Sequence, residues 1–317
     1  MVLSTLSKKI IDGYRLKRGD DFKILVNSNT EELICAANEL RKHFCGNKID
    51  LCSIISGKSG GCSEDCKYCS QSAFNHTNVK VSSFIDKEMI LKDCKAKANI
   101  GINWYSIVTS GKTLNYSDFK KALETYTYLH KNCSINLCAS HGLLSYEQFL
   151  KLKECGVKRI HENIETSENF FSKICTTHSF KDKLQTIKNA KKAGLEVCCG
   201  GIIGMGETIE DRIDMALCLS ELKVNSIPIN ALIPVKGTPL QNQKVLSDEE
   251  IIRSIAIIRF INPESEIRLA AGRNTMKKNG KMAFLSGANA AIVGDMLTAS
   301  GNKIQDDKKM FKDLENY

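Results

Sequence analysis

Hydrophobic and polar residues along this chain alternate between two periods, one typical of buried strands and one typical of amphipathic helices. Short apolar runs predict eight strands, at 51–55, 102–109, 134–139, 158–164, 195–203, 225–233, 266–271 and 290–294. Between them, apolar residues spaced three and four apart predict helices at 87–98, 117–131, 145–155, 180–193, 208–221, 248–261 and 276–285. Residues 1–50 also carry the helical period, with Asn29 or Thr30 as a plausible N-cap.

Strands that each precede a helix favour one architecture. Eight such units predict an α/β protein with a (β/α)₈ barrel of the TIM type. No linker composition divides the chain, which has only four prolines. We therefore expect an N-terminal helical extension over residues 1–50 and a barrel with a C-terminal tail over residues 51–317.

Composition narrows the class of protein. The chain has 317 residues, of which 42% are hydrophobic and fourteen are cysteines, and disulfide-rich secreted scaffolds are much shorter. The N-terminus lacks the apolar core of a signal peptide, and no run of 18 apolar residues predicts a membrane span. These features favour a cytoplasmic protein with reduced thiols.

The net charge of +9 comes from lysines scattered through the predicted helices. This pattern is more typical of a solvated outer face than of a nucleic-acid surface, although a positive field can help to attract an anionic small molecule.

Three cysteines, Cys62, Cys66 and Cys69, form a C-x-x-x-C-x-x-C motif directly after the first predicted strand. Iron–sulfur clusters normally take four cysteine ligands, so three thiolates on one loop would leave one iron of a cubane open. A structural zinc loop or three unrelated buried thiols are the alternatives, and zinc sites usually show a second ligand pair, which this sequence lacks. In a barrel this loop opens at the C-terminal face, where active sites lie.

Two further patterns point to the same face. The glycine-rich run from Gly200 to Glu207 ends the fifth predicted strand, where it would suit either a close backbone approach to a ligand or a tight turn. Strand alternation allows five polar side chains to share the barrel lumen: Cys138, Asn163, Cys198, Asn230 and Arg268. Barrel interiors are usually filled by Val, Ile and Leu, so a polar lumen predicts a ligand or a metal.

The cysteine spacing resembles that of the radical S-adenosylmethionine (SAM) enzymes. Over roughly residues 45–300, the chain resembles the biotin synthase family in five stretches: CSIISGKSGGCSEDCKYCSQS, NIETSENFFSKICTTH, VCCGGIIGMGET, IPINALIPVKGTPL and IRLAAGR. The resemblance implies an enzyme that inserts sulfur between two unactivated carbons of dethiobiotin to form biotin.

The resemblance also implies roles for individual residues. Cys62, Cys66 and Cys69 would bind a 4Fe–4S cluster that holds SAM. The SAM contacts would come from Tyr68, Asn163, Glu165, Lys183, Gly201, Ile203, Gly204 and Glu207. Asn163 and Asn230 would hold the ureido ring of dethiobiotin, because side-chain amides match its N–H and carbonyl groups, and Thr298 would help to hold the substrate carboxylate.

An auxiliary iron–sulfur cluster, 2Fe–2S in the common form, is implied deep in the barrel. Its ligands would include Cys138, Cys198 and Arg268, but Ser106 stands where the family has a third cysteine. Serine is a poor substitute for a soft thiolate on iron, and Cys133, Cys175 and Cys199 are all unconvincing replacements by position. We therefore expect an auxiliary cluster that is altered in nuclearity or ligation.

The expected partners are a small electron donor of the flavodoxin or ferredoxin type and a second copy of the chain in a homodimer, with no nucleic acid or membrane. The alternatives are another radical SAM enzyme, such as a hydrogenase maturase, a sulfur-inserting tRNA-modifying enzyme, or a non-catalytic iron–sulfur carrier. Carriers expose their clusters, so a lumen rich in amides argues against the last of these.

Overall fold

A closed ring of parallel strands forms the centre of the molecule, as described by a computed structural model for residues 2–295, 297 and 301–315. Thr298 lies outside these described residues. The strands are β1 Asp50–Lys58, β2 Trp104–Thr109, β3 Asn136–Ser140, β4 Val157–His161, β5 Glu196–Cys198, β6 Gly201–Ile203, β7 Ser226–Ala231, β8 Glu266–Leu269 and β9 Ala290–Ile292. They lie in the order β5-β4-β3-β2-β1-β9-β8-β7-β6, and a pairing of β5 with β7 closes the ring. The predicted (β/α)₈ barrel is confirmed.

The fifth predicted strand, 195–203, is divided in two. β5 pairs with β7 through Cys198 and Ser226, whereas β6 resumes the pairing at Gly201 and Ile229. The division falls at Gly200, where a Cβ atom would lie 2.0 Å from the Pro228 carbonyl oxygen. The absence of a side chain therefore lets the interrupted strand close tightly on β7.

Helices surround the strands and follow the predicted periodicity over most of the chain. They are α1 Leu3–Ile11, α2 Lys23–Asn27, α3 Thr30–Cys45, α4 Lys87–Asn99, α5 Tyr116–Asn132, α6 Tyr146–Glu154, α7 Glu168–Ile174, α8 Phe180–Lys192, α9 Ile209–Glu221, α10 Asp248–Ile261, α11 Lys281–Phe284 and α12 Ile304–Glu315. Asn29 caps α3 by accepting from the Glu31 amide at 2.9 Å. Ser247 and Glu250 form the capping box of α10.

The helix predicted at 276–285 is wrong. This stretch contains a 3₁₀ turn at Lys277–Gly280 and only four α-helical residues after it. Lys278 and Asn279 have φ angles of 49° and 54°, and left-handed backbone cannot continue an α-helix. The apolar spacing over residues 276–285 therefore resembles that of a helix, but the backbone does not form a continuous one.

The core lies between the barrel and its helices. Ile255, Ile258 and Phe260 of α10 are fully buried, and α10 packs on α3, which also contacts α1. At the other end of the chain, the Arg273 guanidinium makes a two-pronged ion pair with Asp307 of α12, which holds that helix on the barrel. None of the helices in the described part of the chain is long and apolar enough to cross a membrane.

Candidate active site

The loop that follows β1 carries Cys62, Cys66 and Cys69 at the C-terminal edge of the barrel. Its backbone is fixed by short bonds: the Ala73 amide donates to the Cys62 carbonyl at 2.8 Å, and the Cys69 amide donates to the Cys66 carbonyl at 3.1 Å. The Asn75 side-chain amide donates to the Cys66 and Cys69 carbonyls at 3.1 and 2.7 Å. All three thiols are free and partly exposed, so this donor set suits a soft metal cluster.

A second loop, after α7, braces the cysteine loop. Asp65 accepts hydrogen bonds from the Thr176 amide at 2.8 Å and the Thr177 amide at 3.2 Å. Glu64 pairs with His178 Nδ1 at 2.6 Å. The same loop brings Cys175 Sγ to 3.7 Å from Cys66 Sγ, so Cys175 lies beside the cysteine loop and not in the lumen.

A cavity of about 380 Å³ runs from this loop into the lumen. Tyr68 and Cys69 line its upper end, and alternate residues of the strands line its walls. The polar side chains of the wall include Ser106, Cys138, His161, Asn163, Cys198, Asn230 and Arg268. The structure therefore brings the side chains named from strand alternation into one chamber.

Asn163 and Glu165 form a polar corner just beyond β4. Asn163 accepts from the Gly200 amide at 3.1 Å and donates to Glu165 at 3.4 Å. Glu165 has a φ angle of 69°, an uncommon conformation for a residue other than glycine, and its carbonyl accepts from the Ile202 amide at 2.8 Å. Burial raises the pKa of the Glu165 carboxyl, although the positive charge of Lys183 opposes this.

Asn230 lies on β7 across the cavity from that corner. Its amide donates to the Gly201 carbonyl at 3.1 Å and accepts from the Ala271 amide at 3.2 Å. A primary amide offers two N–H groups and two lone pairs, so Asn163 and Asn230 each keep a donor and an acceptor for a ligand.

The glycine-rich run owes its shape to protein contacts. A Cβ atom on Gly201 would lie 2.4 Å from the Glu165 carbonyl oxygen and 2.5 Å from Met215 Sδ. The Glu207 carboxylate accepts from the Gly204 and Met205 amides, each at 2.7 Å, and from Arg212 Nε at 2.7 Å. Glu207 therefore shapes the loop from behind, and its carboxylate does not line the cavity.

Two other residues named as SAM contacts also stand behind the cavity wall. Ile203 is fully buried in the core. Lys183 of α8 pairs with Glu162 at 2.5 Å, and the charges of Glu162 and Glu165 raise the pKa of the Lys183 ammonium against the effect of burial. Lys183 therefore acts on the cavity through its charge near Glu165.

The lower lumen combines thiols with buried arginines. Arg159 lies 3.7 Å from the centroid of the Trp104 ring and pairs with Glu196 at 2.7 Å. Burial alone would raise the pKa of the Cys198 thiol, but His161, Arg268 and Arg159 together lower it. Burial raises the pKa of Cys138, and the neighbouring Cys198 and Cys52 thiols raise it further. The positive charges of this region therefore favour the thiolate of Cys198, whereas burial and the neighbouring thiols disfavour that of Cys138.

Ser106 and Arg268 have contrasting surroundings. The Ser106 hydroxyl is buried and has no hydrogen-bond partner among the described residues, which suits a position meant to face a bound group. Arg268 by contrast is saturated: it donates to Ser226, to the Ala291 carbonyl, to Glu266, and to both the carbonyl and the carboxylate of Asp50. The lumen thus fits an iron–sulfur group at its thiols better than at its guanidinium.

Sequence reasoning missed three residues of this lumen: Cys52, Arg159 and His161. Each was available from the alternation used for Cys138, because Arg159 and His161 precede Asn163 by four and two residues, and Cys52 precedes the lumen residue Ile54 by two.

Comparisons with known proteins separate family from fold. Residues 58–219 match the radical SAM superfamily, and residues 228–316 match the biotin and thiamin synthesis associated domain. A biotin synthase of Alkaliphilus metalliredigens is 52% identical over 99% of this chain and 99% of its own. A biotin synthase of Clostridium beijerinckii is 54% identical over 98% of this chain and 99% of its own.

Solved structures support the fold alone, because their sequences are distant. A methylornithine synthase superposes with a TM-score of 0.84 at 22% identity, covering 98% of this chain and 95% of that one. A maturase of the [FeFe]-hydrogenase superposes with a TM-score of 0.83 at 15% identity, covering 98% of this chain and 74% of that one. The similarity to the maturase is therefore a similarity of the barrel fold.

Proposed function

This chain belongs to the biotin synthase family and is a radical SAM enzyme, and we propose that it converts dethiobiotin to biotin by inserting sulfur between two unactivated carbons. The observation that carries the proposal is the full-length identity to biotin synthases, joined to a lumen with two amides of unfilled hydrogen-bonding capacity above a group of thiols. A ureido ring has N–H donors and a carbonyl acceptor, which Asn163 and Asn230 match.

Family membership brings a 4Fe–4S cluster and SAM as cofactors. We propose that Cys62, Cys66 and Cys69 hold the cluster, and that Tyr68, Asn163 and Glu165 face SAM from the cavity wall, with the backbone of the Gly201–Gly204 stretch beside them. When bound, the 4Fe–4S cluster would supply the electron for splitting SAM to methionine and a 5′-deoxyadenosyl radical, and an auxiliary cluster would supply the sulfur.

The protein's own contribution is position and exclusion of water. Holding dethiobiotin between the cysteine loop and the lumen thiols would fix the two carbons that lose hydrogen to the radical and then bond to the sulfur. Most of the cavity wall is apolar, with Ile54, Val108 and Ile202 among its members, so the reacting carbons would be shielded from water. Glu207 and Lys183 act as positioning residues, the first on the glycine-rich loop and the second on the charge of Glu165.

We propose an auxiliary iron–sulfur cluster, 2Fe–2S or a variant of it, among the thiols of the lower lumen. Cys138 and Cys198 would be two of its ligands. Arg268 would supply charge, because its five N–H groups already donate to protein acceptors.

The remaining proposals concern the setting of the enzyme. We propose a reducing cytoplasm, where fourteen free thiols persist, a flavodoxin- or ferredoxin-type electron donor, and a homodimer. We also propose two regions, the helical extension over residues 1–50 and the barrel with its tail over residues 51–317.

Complementation tests the function directly. A bacterium that lacks its own biotin synthase grows on biotin but not on dethiobiotin, and we expect this chain to restore growth on dethiobiotin. Cys66→Ala should abolish growth, whereas Cys35→Ala, which removes an exposed thiol on α3, should not. Failure of the unaltered chain to restore growth, although it is produced and cleaves SAM, would point to another substrate.

A further inference from the structure

The barrel lumen holds a third thiol that neither the cysteine motif nor the residues Cys138 and Cys198 account for. Cys52 lies on β1, is buried, and lines the same cavity as Cys138 and Cys198. It packs in one cluster with Cys138 and the Trp104 ring. Three thiols from three separate strands therefore line one cavity.

Strand register places Cys52 next to the position that lacks its cysteine. Ile54 of β1 pairs with Ser106 of β2, and Ser106 pairs with Cys138 of β3. Cys52 is two residues below Ile54 on the same side of β1, so its Cα lies about one strand spacing across and two residues down from that of Ser106, a separation of about 8 Å. A thiol at this position reaches the space below Ser106.

The other donors nearby do not complete a ligand set. Ser106 offers a hydroxyl, which binds iron less well than a thiolate. Arg268 would have to release one of its five protein acceptors to reach a metal. Cys69 also lines the cavity but belongs to the loop at its upper end, so Cys52 is the additional thiol of the lower lumen among the described residues.

We propose that Cys52 is the third thiolate ligand of the auxiliary iron–sulfur cluster, together with Cys138 and Cys198, and that it replaces the ligand lost at Ser106. Arg268 and Arg159 remain hydrogen-bonded to Asp50, Glu196 and Glu266 and offset the charge of the thiolates. The inference rests on the proposed function in one respect, that an auxiliary cluster is part of it.

Iron content gives a test that does not depend on activity. In a full-length chain with Cys62, Cys66 and Cys69 all changed to Ala, any cluster that remains belongs to the lumen. After anaerobic reconstitution with ferrous iron and sulfide, we expect this chain to retain iron and sulfide with a cluster Mössbauer spectrum. Adding Cys52→Ala should lower the retained iron about tenfold or more, since even residues that only orient metal ligands affect affinity 10- to 100-fold.

Cys94→Ala is the matched control, because it removes a buried thiol from α4, outside the lumen, and should leave the iron unchanged. Cys52→Ser nearly keeps the side-chain volume and serves as the second variant in case the alanine variant folds poorly. It should lose iron to the same extent. Unchanged iron and an unchanged spectrum in a folded Cys52 variant would overturn the proposal. Absence of lumen iron in the chain that retains Cys52 would overturn it as well.

Biotin formation by the unaltered chain separates this inference from the proposed function. If the unaltered chain makes biotin and the Cys52→Ala variant keeps all its lumen iron, only the role of Cys52 as a cluster ligand is contradicted. If the unaltered chain makes no biotin but its lumen iron depends on Cys52, the proposed function is contradicted and the role of Cys52 as a cluster ligand is supported.

Discussion

The Sγ atom of Cys175 lies 3.7 Å from the Sγ atom of Cys66. These residues come from two loops that Asp65 and Glu64 hold together, so the approach is built into the fold. The contact to Cys66 and the nearby His178 lower the pKa of the Cys175 thiol, although burial opposes this. Cys175 therefore lies within contact distance of one of the proposed cluster ligands, in surroundings that favour its thiolate.

We predict that the cluster-free chain forms a Cys66–Cys175 disulfide when treated with diamide, which takes up the two electrons and two protons that the thiols lose. Peptide mapping by mass spectrometry should find this bond as the main product involving Cys66. Cys175→Ser should prevent it, and Cys133→Ser should not. A Cys62–Cys69 bond as the main product would show that Cys175 is not the nearest partner in solution.

The substrate amides give a second prediction. Asn230→Ala should raise the KM for dethiobiotin about 5- to 150-fold, the equivalent of about 1–3 kcal/mol for a buried hydrogen bond left unmade. Cleavage of SAM in the absence of dethiobiotin should change much less. Asn242→Ala, which removes an exposed amide, is the control for steady-state kinetics. Equal losses in both reactions would mean that Asn230 matters only for holding Gly201 and Ala271 in place.

The ion pair between Arg273 and Asp307 gives a prediction about stability. Both side chains are buried, so Asp307→Ala leaves an unpaired guanidinium and should destabilise the fold by about 3–5 kcal/mol. Asp306→Ala, one position away and exposed, should have little effect. The thermal midpoints of the two variants measured side by side test this, and equal midpoints would show that the ion pair does not stabilise the fold.

His141 predicts how stability depends on pH. It is buried between Thr109 and Tyr126, at 3.0 and 2.9 Å, and burial lowers its pKa to about 3. In the unfolded chain His141 takes up a proton near pH 6.5, whereas in the folded chain it stays neutral down to about pH 3. The contribution of neutral His141 to the free energy of unfolding is therefore complete above pH 6.5 and is lost as the pH falls toward 3. The loss should approach about 1.4 kcal/mol per pH unit within that window.

Comparison with His141→Gln isolates this contribution, since glutamine cannot take up the proton. The thermal midpoint of the parent should fall more steeply than that of the variant between pH 6.5 and 4.5. If the midpoints of the parent and the variant fall in parallel with pH, His141 is not the residue responsible for the pH dependence.

The sequence predicted the barrel well, because strand and helix periods are local properties of the chain. It also predicted that Cys138, Asn163, Cys198 and Asn230 share a lumen, since alternation along a strand fixes the side on which each residue lies. It missed the division of the fifth strand, which depends on the approach of Gly200 to Pro228, a contact between distant parts of the chain. It also could not show that Cys175 meets Cys66 or that the five N–H groups of Arg268 are already occupied, because both depend on how separate loops and strands pack.

The most direct test of the proposed function is an anaerobic assay of the reconstituted chain with SAM, a low-potential reductant and dethiobiotin, with the products identified by mass spectrometry. The account predicts biotin together with 5′-deoxyadenosine, and no biotin when Cys66 is changed to Ala. Deoxyadenosine formed without biotin by a chain that carries both clusters would contradict it, because the radical chemistry would then act on a different substrate.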